Sequence, residues 1–210
     1  MKMVFLGPPG SGKGTQAEFL SITLRIAHIS TGELLRQEIA DNSALGIDAR
    51  RFVESGALVP DDLVMKILEK KIGQPECSRG FILDGFPRNI PQAENMIKAG
   101  ISVEKVFYFD VPEEQVVDRM GGRLYCSSCG AFFHERYNIP VKAMICDRCS
   151  NQLIRRADDE PDAIRNRMTV YREKTMPLIN YYKEKTMLTV LDASRSIDEI
   201  RDTLLNEVGQ

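Results

Sequence analysis

Four short apolar runs punctuate the chain: Met3 to Leu6, Phe81 to Leu83, Val106 to Phe109 and Met187 to Leu191. Each is bounded by Gly, Pro or Asp, and stretches with helical spacing separate them. Runs of this length between turn residues read as strands buried on both faces, the pattern of a parallel sheet. Ala27 to Ile29 is a weaker fifth strand. It leads into Ser30-Thr31-Gly32-Glu33, where Ser30 and Glu33 have capping-box spacing for a helix running to about Ala40. Strand alternating with helix predicts an α/β fold with a doubly wound, five-stranded parallel sheet flanked by helices.

Two segments interrupt the alternation. From about Thr31 to Lys71 the pattern is helical only, with Gly56 and Pro60-Asp61 as stop and restart, so this stretch is a helical excursion from the sheet. From about Arg123 to Arg156 there is little helical periodicity, and all four paired cysteines fall there. Beyond it, Asp159 and Pro161 begin an amphipathic helix predicted to run to about Lys185 with a kink at Pro177. The expected division is core 1–30, helical excursion 31–72, core 73–122, a metal-bound appendage 123–156 and core 157–210.

At 210 residues the chain can build one full core with small insertions. A net charge of -2 argues against a protein that coats nucleic acid, so any anion site must be local. Arginine supplies 17 of the 28 basic residues, and nine of those lie between Arg119 and Arg172, which concentrates planar donors suited to phosphate. No apolar run approaches a membrane span, and the apolar start breaks at once into Gly7-Pro8-Pro9-Gly10, which is not a secretory signal. The expectation is a cytoplasmic protein without membrane or nucleic-acid partners.

Gly7-Pro8-Pro9-Gly10-Ser11-Gly12-Lys13 follows the first strand and precedes helical sequence, the context that makes a Gly-x4-Gly-Lys match a phosphate-binding loop. Its glycines let backbone N–H groups converge on phosphate oxygens, the helix N-terminus adds positive potential, and Lys13 can track a transferring phosphoryl group. Position 14 is Gly where the general motif has Ser or Thr, and Thr15 follows. Magnesium is then expected to be held largely through water and substrate phosphates. Asp84, at the end of the Phe81 to Leu83 run, is the carboxylate expected to reach Mg²⁺ through its water shell. Asp110 follows a similar run and is read as structural.

Cys126-x2-Cys129 and Cys146-x2-Cys149, 16 residues apart, put four thiolates on two tight knuckles, the spacing of a tetrahedral structural zinc site. Four sulfur ligands leave no open position for chemistry, and iron is also accepted by such a set. His134 is read as a packing or hydrogen-bonding residue, and Cys77 and His28 as bystanders.

Several residue groups resemble one family: Gly-Lys-Gly-Thr at 12–15, Ser-Thr-Gly-Glu at 30–33 with Arg36, Leu-Val-Pro-Asp at 58–61, and Leu-Asp-Gly-Phe-Pro-Arg at 83–88 with Gln92. With Arg119, Arg123, the four cysteines, Arg156, Asp158-Asp159 and Arg165-Asn166-Arg167, the chain resembles the adenylate kinases of bacterial type with a long, four-cysteine lid. The resemblance implies the P-loop nucleoside monophosphate kinase fold, in which 31–72 binds AMP and 123–156 is the lid. The implied activity is reversible transfer of the terminal phosphoryl of ATP to AMP, giving two ADP, with Mg²⁺, by a monomer serving adenine nucleotide homeostasis. It also implies that ATP lies over Gly10, Ser11, Gly12, Lys13, Gly14 and Thr15, with Arg119 and Arg123 reaching it and Phe132, Phe133 and Arg195 nearby. AMP is implied at Thr31, Arg36, Ala57, Leu58, Val59, Gly85, Phe86, Pro87, Arg88, Gln92, Arg156 and Arg167. Lys13, Arg88, Arg123, Arg156 and Arg167 are the implied catalytic cations. Arg155, Arg165 and Arg172 are left as solvated or ion-paired residues, and Asp158 and Asp159 either orient arginines or cap the following helix.

The sequence departs from the usual family pattern at Glu33, where Asp is common, at Leu124, where a second Arg often follows Arg123, and at Ile139-Pro140. Rival readings are a kinase for UMP, CMP or GMP, a GTP donor, a zinc ribbon stacking bases on Phe132, Phe133 and Tyr137, and a noncatalytic nucleotide sensor. Gln92 and the Thr31 segment favour AMP, the acidic balance disfavours the ribbon, and retention of Lys13 and the arginines disfavours the sensor.

Overall fold

The computed structural model describes residues 1–209. Five strands, β1 (Lys2–Leu6), β2 (Ala27–Ser30), β3 (Phe81–Asp84), β4 (Lys105–Asp110) and β7 (Leu188–Asp192), form one parallel sheet in the order β2-β3-β1-β4-β7. These are the five apolar runs of the sequence. Successive side chains of a strand face opposite ways, so Met3 and Phe5 enter one apolar core while Val4 and Leu6 enter the other. The core that Val4 and Leu6 enter packs against α2 (Thr31–Ala40), α3 (Ala44–Ser55), α4 (Asp61–Ile72) and α5 (Ile90–Lys98). The core that Met3 and Phe5 enter packs against α1 (Lys13–Leu24), α6 (Glu113–Gly121), α7 (Pro161–Val170) and α9 (Ile197–Val208).

Helices α2, α3 and α4 follow one another between neighbouring strands β2 and β3. Gly56 ends α3 at φ 75°, and α4 restarts at Asp61. A side chain at Gly56 would also strike Arg167 Cγ at 2.7 Å, so the position must be glycine for both reasons. At Ser30 half of the expected capping box forms: Ser30 Oγ accepts from the Glu33 N–H at 3.4 Å, while Glu33 faces the central cavity. The reciprocal box is found instead at α9, between Ser196 and Glu199.

Residues 123–156 contain no helix; β5 (Arg123–Tyr125) and β6 (Phe132–His134) pair antiparallel there. The long helix expected from Pro161 is divided. After α7 the chain makes a π turn over Tyr171–Thr175 and resumes as α8 (Pro177–Glu184). The distortion thus precedes Pro177 rather than centring on it, because a proline ring clashes with the carbonyl four residues back and the chain widens to avoid it. Among the described residues no helix is long and apolar enough to cross a membrane.

Candidate active site

The carboxyl ends of β1, β2 and β3 open on a cavity of about 830 Å³ at the point where strand order reverses, the usual ligand position in such sheets. Its wall contains every residue that the resemblance implies for ATP and AMP, from Gly10 to Arg195, together with Asp84. Eight cationic side chains face it against three carboxylates, Glu33, Asp84 and Asp158, although the whole chain is acidic. Such a surplus in a low-dielectric cleft attracts polyanions.

Lys13 opens α1 and folds back over its own loop, donating to the carbonyls of Gly7 at 2.9 Å and Pro8 at 2.7 Å and to Ser11 Oγ at 3.1 Å. The turn is possible because Gly12, just before the helix, takes φ 90°. Burial drives the Lys13 pKa from 10.5 down to about 8; Asp84 opposes this, and Arg88, Arg167 and Arg123 add to it.

Asp84 ends β3 beside the loop, and a Cβ at Gly14 would sit 3.4 Å from its Oδ2. Burial pushes its pKa up, but His28, Lys13 and Arg88 more than offset this and hold the carboxyl below its usual value. His28 lies within β2, with Nε2 3.5 Å from Asp84 Oδ2, an ion-pair contact without hydrogen-bond alignment. Its pKa is depressed by burial and raised further by Asp84 and Glu33, so the net shift is upward. His28 thus contacts Asp84, although it does not itself line the cavity. Strand register explains why it was overlooked: Ser30 pairs with Asp84 across β2 and β3, and that pairing is not written in either segment alone.

Asp158 and Asp159 gather arginines from four segments. Asp158 binds Arg156, whose Nε lies at 2.8 Å, then Arg167 at 3.0 Å and Arg36 at 3.8 Å. Asp159 binds Arg123, whose Nε lies at 2.7 Å, and Arg167 at 3.1 Å. Burial pushes the Asp158 pKa up, but Arg156, Arg167 and Arg36 hold it far below the carboxylate range. Arg167 is pushed down to about 9 and Arg36 to about 10, in each case chiefly by burial and then by neighbouring guanidinia. The two aspartates orient arginines and do not cap α7, whose N-cap position is Glu160.

Arg88 is held by its Nε on the Gly85 carbonyl at 2.7 Å, and Thr31 Oγ1 donates to the same oxygen at 2.9 Å. Gln92 is buried, with its amide shared between the Arg88 N–H at 2.6 Å and Asp61 at 2.6 Å. Elsewhere in the wall Arg119 donates to the Ala193 carbonyl at 2.9 Å, and Arg195 contacts Asp192 at 3.1 Å. Phe132 lies under Arg123, 5.9 Å from the guanidinium carbon to the ring centroid. Arg155, Arg165 and Arg172 are exposed and pair with Glu135, Asp162 and Glu113.

The sulfur atoms of Cys126, Cys129, Cys146 and Cys149 all lie within 4.8 Å of one another, with pairs at 3.4 and 3.5 Å. A tetrahedron of sulfurs at about 2.3 Å from a metal has edges of about 3.8 Å, so the set fits a four-coordinate ion. His134 stays outside it: Nδ1 accepts from the Arg136 N–H at 2.9 Å, and the ring packs on Tyr137. Cys77 is buried and donates to the Lys71 carbonyl.

The adenylate kinase family model matches residues 5–187. The chain is 43% identical to the adenylate kinase of Caldicellulosiruptor saccharolyticus over 213 residues, covering 100% of this chain and 99% of that protein. It is 43% identical to the adenylate kinase of Methanocella arvoryzae over 204 residues, covering 95% and 94%. With the adenylate kinase of Clostridium botulinum strain 657 the identity is 42% over 214 residues, covering 100% and 99%.

Proposed function

The chain belongs to the adenylate kinase family of nucleoside monophosphate phosphotransferases, and from that premise we propose that it transfers the terminal phosphoryl of ATP to AMP, reversibly and with Mg²⁺, to give two ADP. The observation that carries this reading is the convergence of Lys13, Arg88, Arg123, Arg156 and Arg167 on one cavity between the phosphate loop and helices α2 to α4.

A phosphate oxygen of AMP attacks the terminal phosphorus of ATP, and the bond to the bridging oxygen breaks, releasing ADP. The acceptor is already anionic, so no base is needed. What remains is alignment and charge compensation. Lys13 and the loop N–H groups hold the donor phosphates. Thr31, Arg36 and Arg88 hold the acceptor phosphate, with Ala57 to Val59, Gly85 to Pro87 and Gln92 around its base. Arg119, Arg195, Phe132 and Phe133 flank the donor nucleotide. Arg123, Arg156 and Arg167, already arranged by Asp158 and Asp159, neutralise charge as it shifts, which limits the reorganisation left for the reacting complex. Residues 123–156 act as the lid that excludes water, the competing acceptor.

Magnesium would neutralise polyphosphate charge, and the buried, ionised Asp84 fits an oxygen-seeking cation through its water shell. The four cysteines would hold a structural metal, with zinc the first choice and iron acceptable to the same donors. Such thiols suit a reducing cytoplasm, and a monomer in that compartment, serving adenine nucleotide balance, is the form the resemblance implies.

Phosphorus NMR of enzyme with Mg·ATP and AMP, UMP, CMP, GMP or water as acceptor tests the reading. ADP forming rapidly with AMP alone, and ADP reverting to ATP and AMP, is the expected result. Preference for another monophosphate would keep the mechanism and reassign the base site, and inertness toward all would defeat it.

A further inference from the structure

Three contacts fix Arg88, and one of them comes from far away. Its Nε and its backbone N–H are bonded within its own loop and the start of α5, while its carbonyl accepts from Thr175 Oγ1 at 2.8 Å, across 87 residues of sequence. Thr175 closes the π turn, is buried, and lines the cavity.

A threonine inside a helix ordinarily gives its proton to the carbonyl four residues back. Thr169 in α7 does so, to Arg165, as do Thr23 to Phe19 and Thr203 to Glu199. Thr175 does not. The π turn is closed by the Met176 N–H on the Tyr171 carbonyl at 2.9 Å, one residue wider than an α-helical bond. The widened turn faces both buried side chains inward: Tyr171 Oη meets Tyr108 Oη at 3.3 Å, and Thr175 meets Arg88. Single π turns within helices gather at functional sites because they re-aim a side chain in this way.

We propose that Thr175 is a positioning residue for the transfer, fixing the peptide plane of Arg88 and through it the guanidinium that meets the acceptor phosphate. This rests on the role given to Arg88 above. A buried carbonyl stripped of its donor is costly, and its peptide can turn in search of another. A guanidinium displaced by about 1 Å can forfeit up to about a hundredfold in rate.

The test compares Thr175→Val, Thr175→Ser and Arg88→Ala, and Thr175→Val combined with Arg88→Ala, by steady-state ADP formation with melting curves alongside. Thr175→Val should lower kcat/KM for AMP roughly tenfold and leave KM for Mg·ATP within about twofold, while Thr175→Ser restores most of the loss. On the Arg88→Ala background the valine should cost less than about twofold, because its effect passes through the missing guanidinium. If Thr175→Val does not fold, Thr175→Ala takes its place. Full activity in Thr175→Val beside a crippled Arg88→Ala overturns the inference alone, as does an undiminished tenfold loss on the Arg88→Ala background. A fully active Arg88→Ala removes the site reading itself, and this inference with it.

Discussion

On the sheet side of the cavity, Phe5 meets Phe107 and Phe109 with ring centroids 5.7 and 5.0 Å apart, and apolar clusters of 20 and 17 buried residues flank the sheet. In residues 123–156, the proposed lid, the apolar cluster has six buried members, two of them cysteines. So little burial cannot offset the entropy of ordering a segment of that length, whereas four thiolates on one ion can. The difference teaches how a chain makes a part stiff without welding it to the rest. Apolar packing joins each strand to its neighbours and to the helices, so it stiffens the whole. Tied by the metal proposed above, residues 123–156 would be rigid within themselves, and they meet the rest through exposed pairs such as Arg148 with Glu18 on α1 and Arg136 with Asp118 on α6 and through the largely buried pair of Arg123 with Asp159.

Lys13 contributes to neither scheme of stability. Lys13→Met should lower turnover on the order of 10³ or more while the melting temperature stays level or rises, because a buried cation is removed. A large fall in melting temperature would show a structural role instead. Next in size is the contrast between the two apolar regions: Phe107→Ala should cost about 3–5 kcal/mol in urea unfolding, whereas Phe133→Ala should leave the main transition within about 1 kcal/mol. Equal losses would mean that sheet and lid unfold as one unit.

Stripping the metal with a strong chelator, or Cys146→Ser, should bring amide exchange in residues 123–156 close to the unfolded rate while β1 and β4 keep their protection. The KM for ATP should rise about tenfold as the lid loses its shape. Loss of protection in the sheet would break the contrast.

The smallest effect is on pH. Lys13 titrates at about 8 in the folded chain against 10.5 unfolded, so its burial costs stability below pH 8, and that cost is released between pH 8 and 10.5. Bound phosphate favours the charged form. Above pH 8 nucleotide binding should therefore take up a proton, and affinity should fall by up to about tenfold per pH unit. Calorimetry in buffers of different ionisation enthalpy measures the uptake; none at pH 8.5 would contradict it.

Much of this was legible in the sequence because it is local. The five strands show as apolar runs, the phosphate loop is contiguous, and the cysteine knuckles are set by spacing. The nucleotide-site arginines were assigned through resemblance, since no local rule distinguishes Arg156, bound to Asp158 in the cavity wall, from its neighbour Arg155, bound to Glu135 at the surface. What was missed depends on distant partners: His28 acquires its meaning from Asp84 across a strand pairing, and Thr175 from a π turn that an ordinary helical pattern conceals.

Helices α2 to α4, proposed above to receive the acceptor, carry a consequence for how such an enzyme can change over generations. They leave the sheet after Ser30 and return at Phe81, on strands that lie side by side, with Ser30 opposite Asp84. Everything between these points is, to the sheet, a single loop. On the proposed division of roles, an inherited exchange of that cassette would alter which monophosphate is received while the phosphate loop, residues 123–156 and the strand order descend unedited.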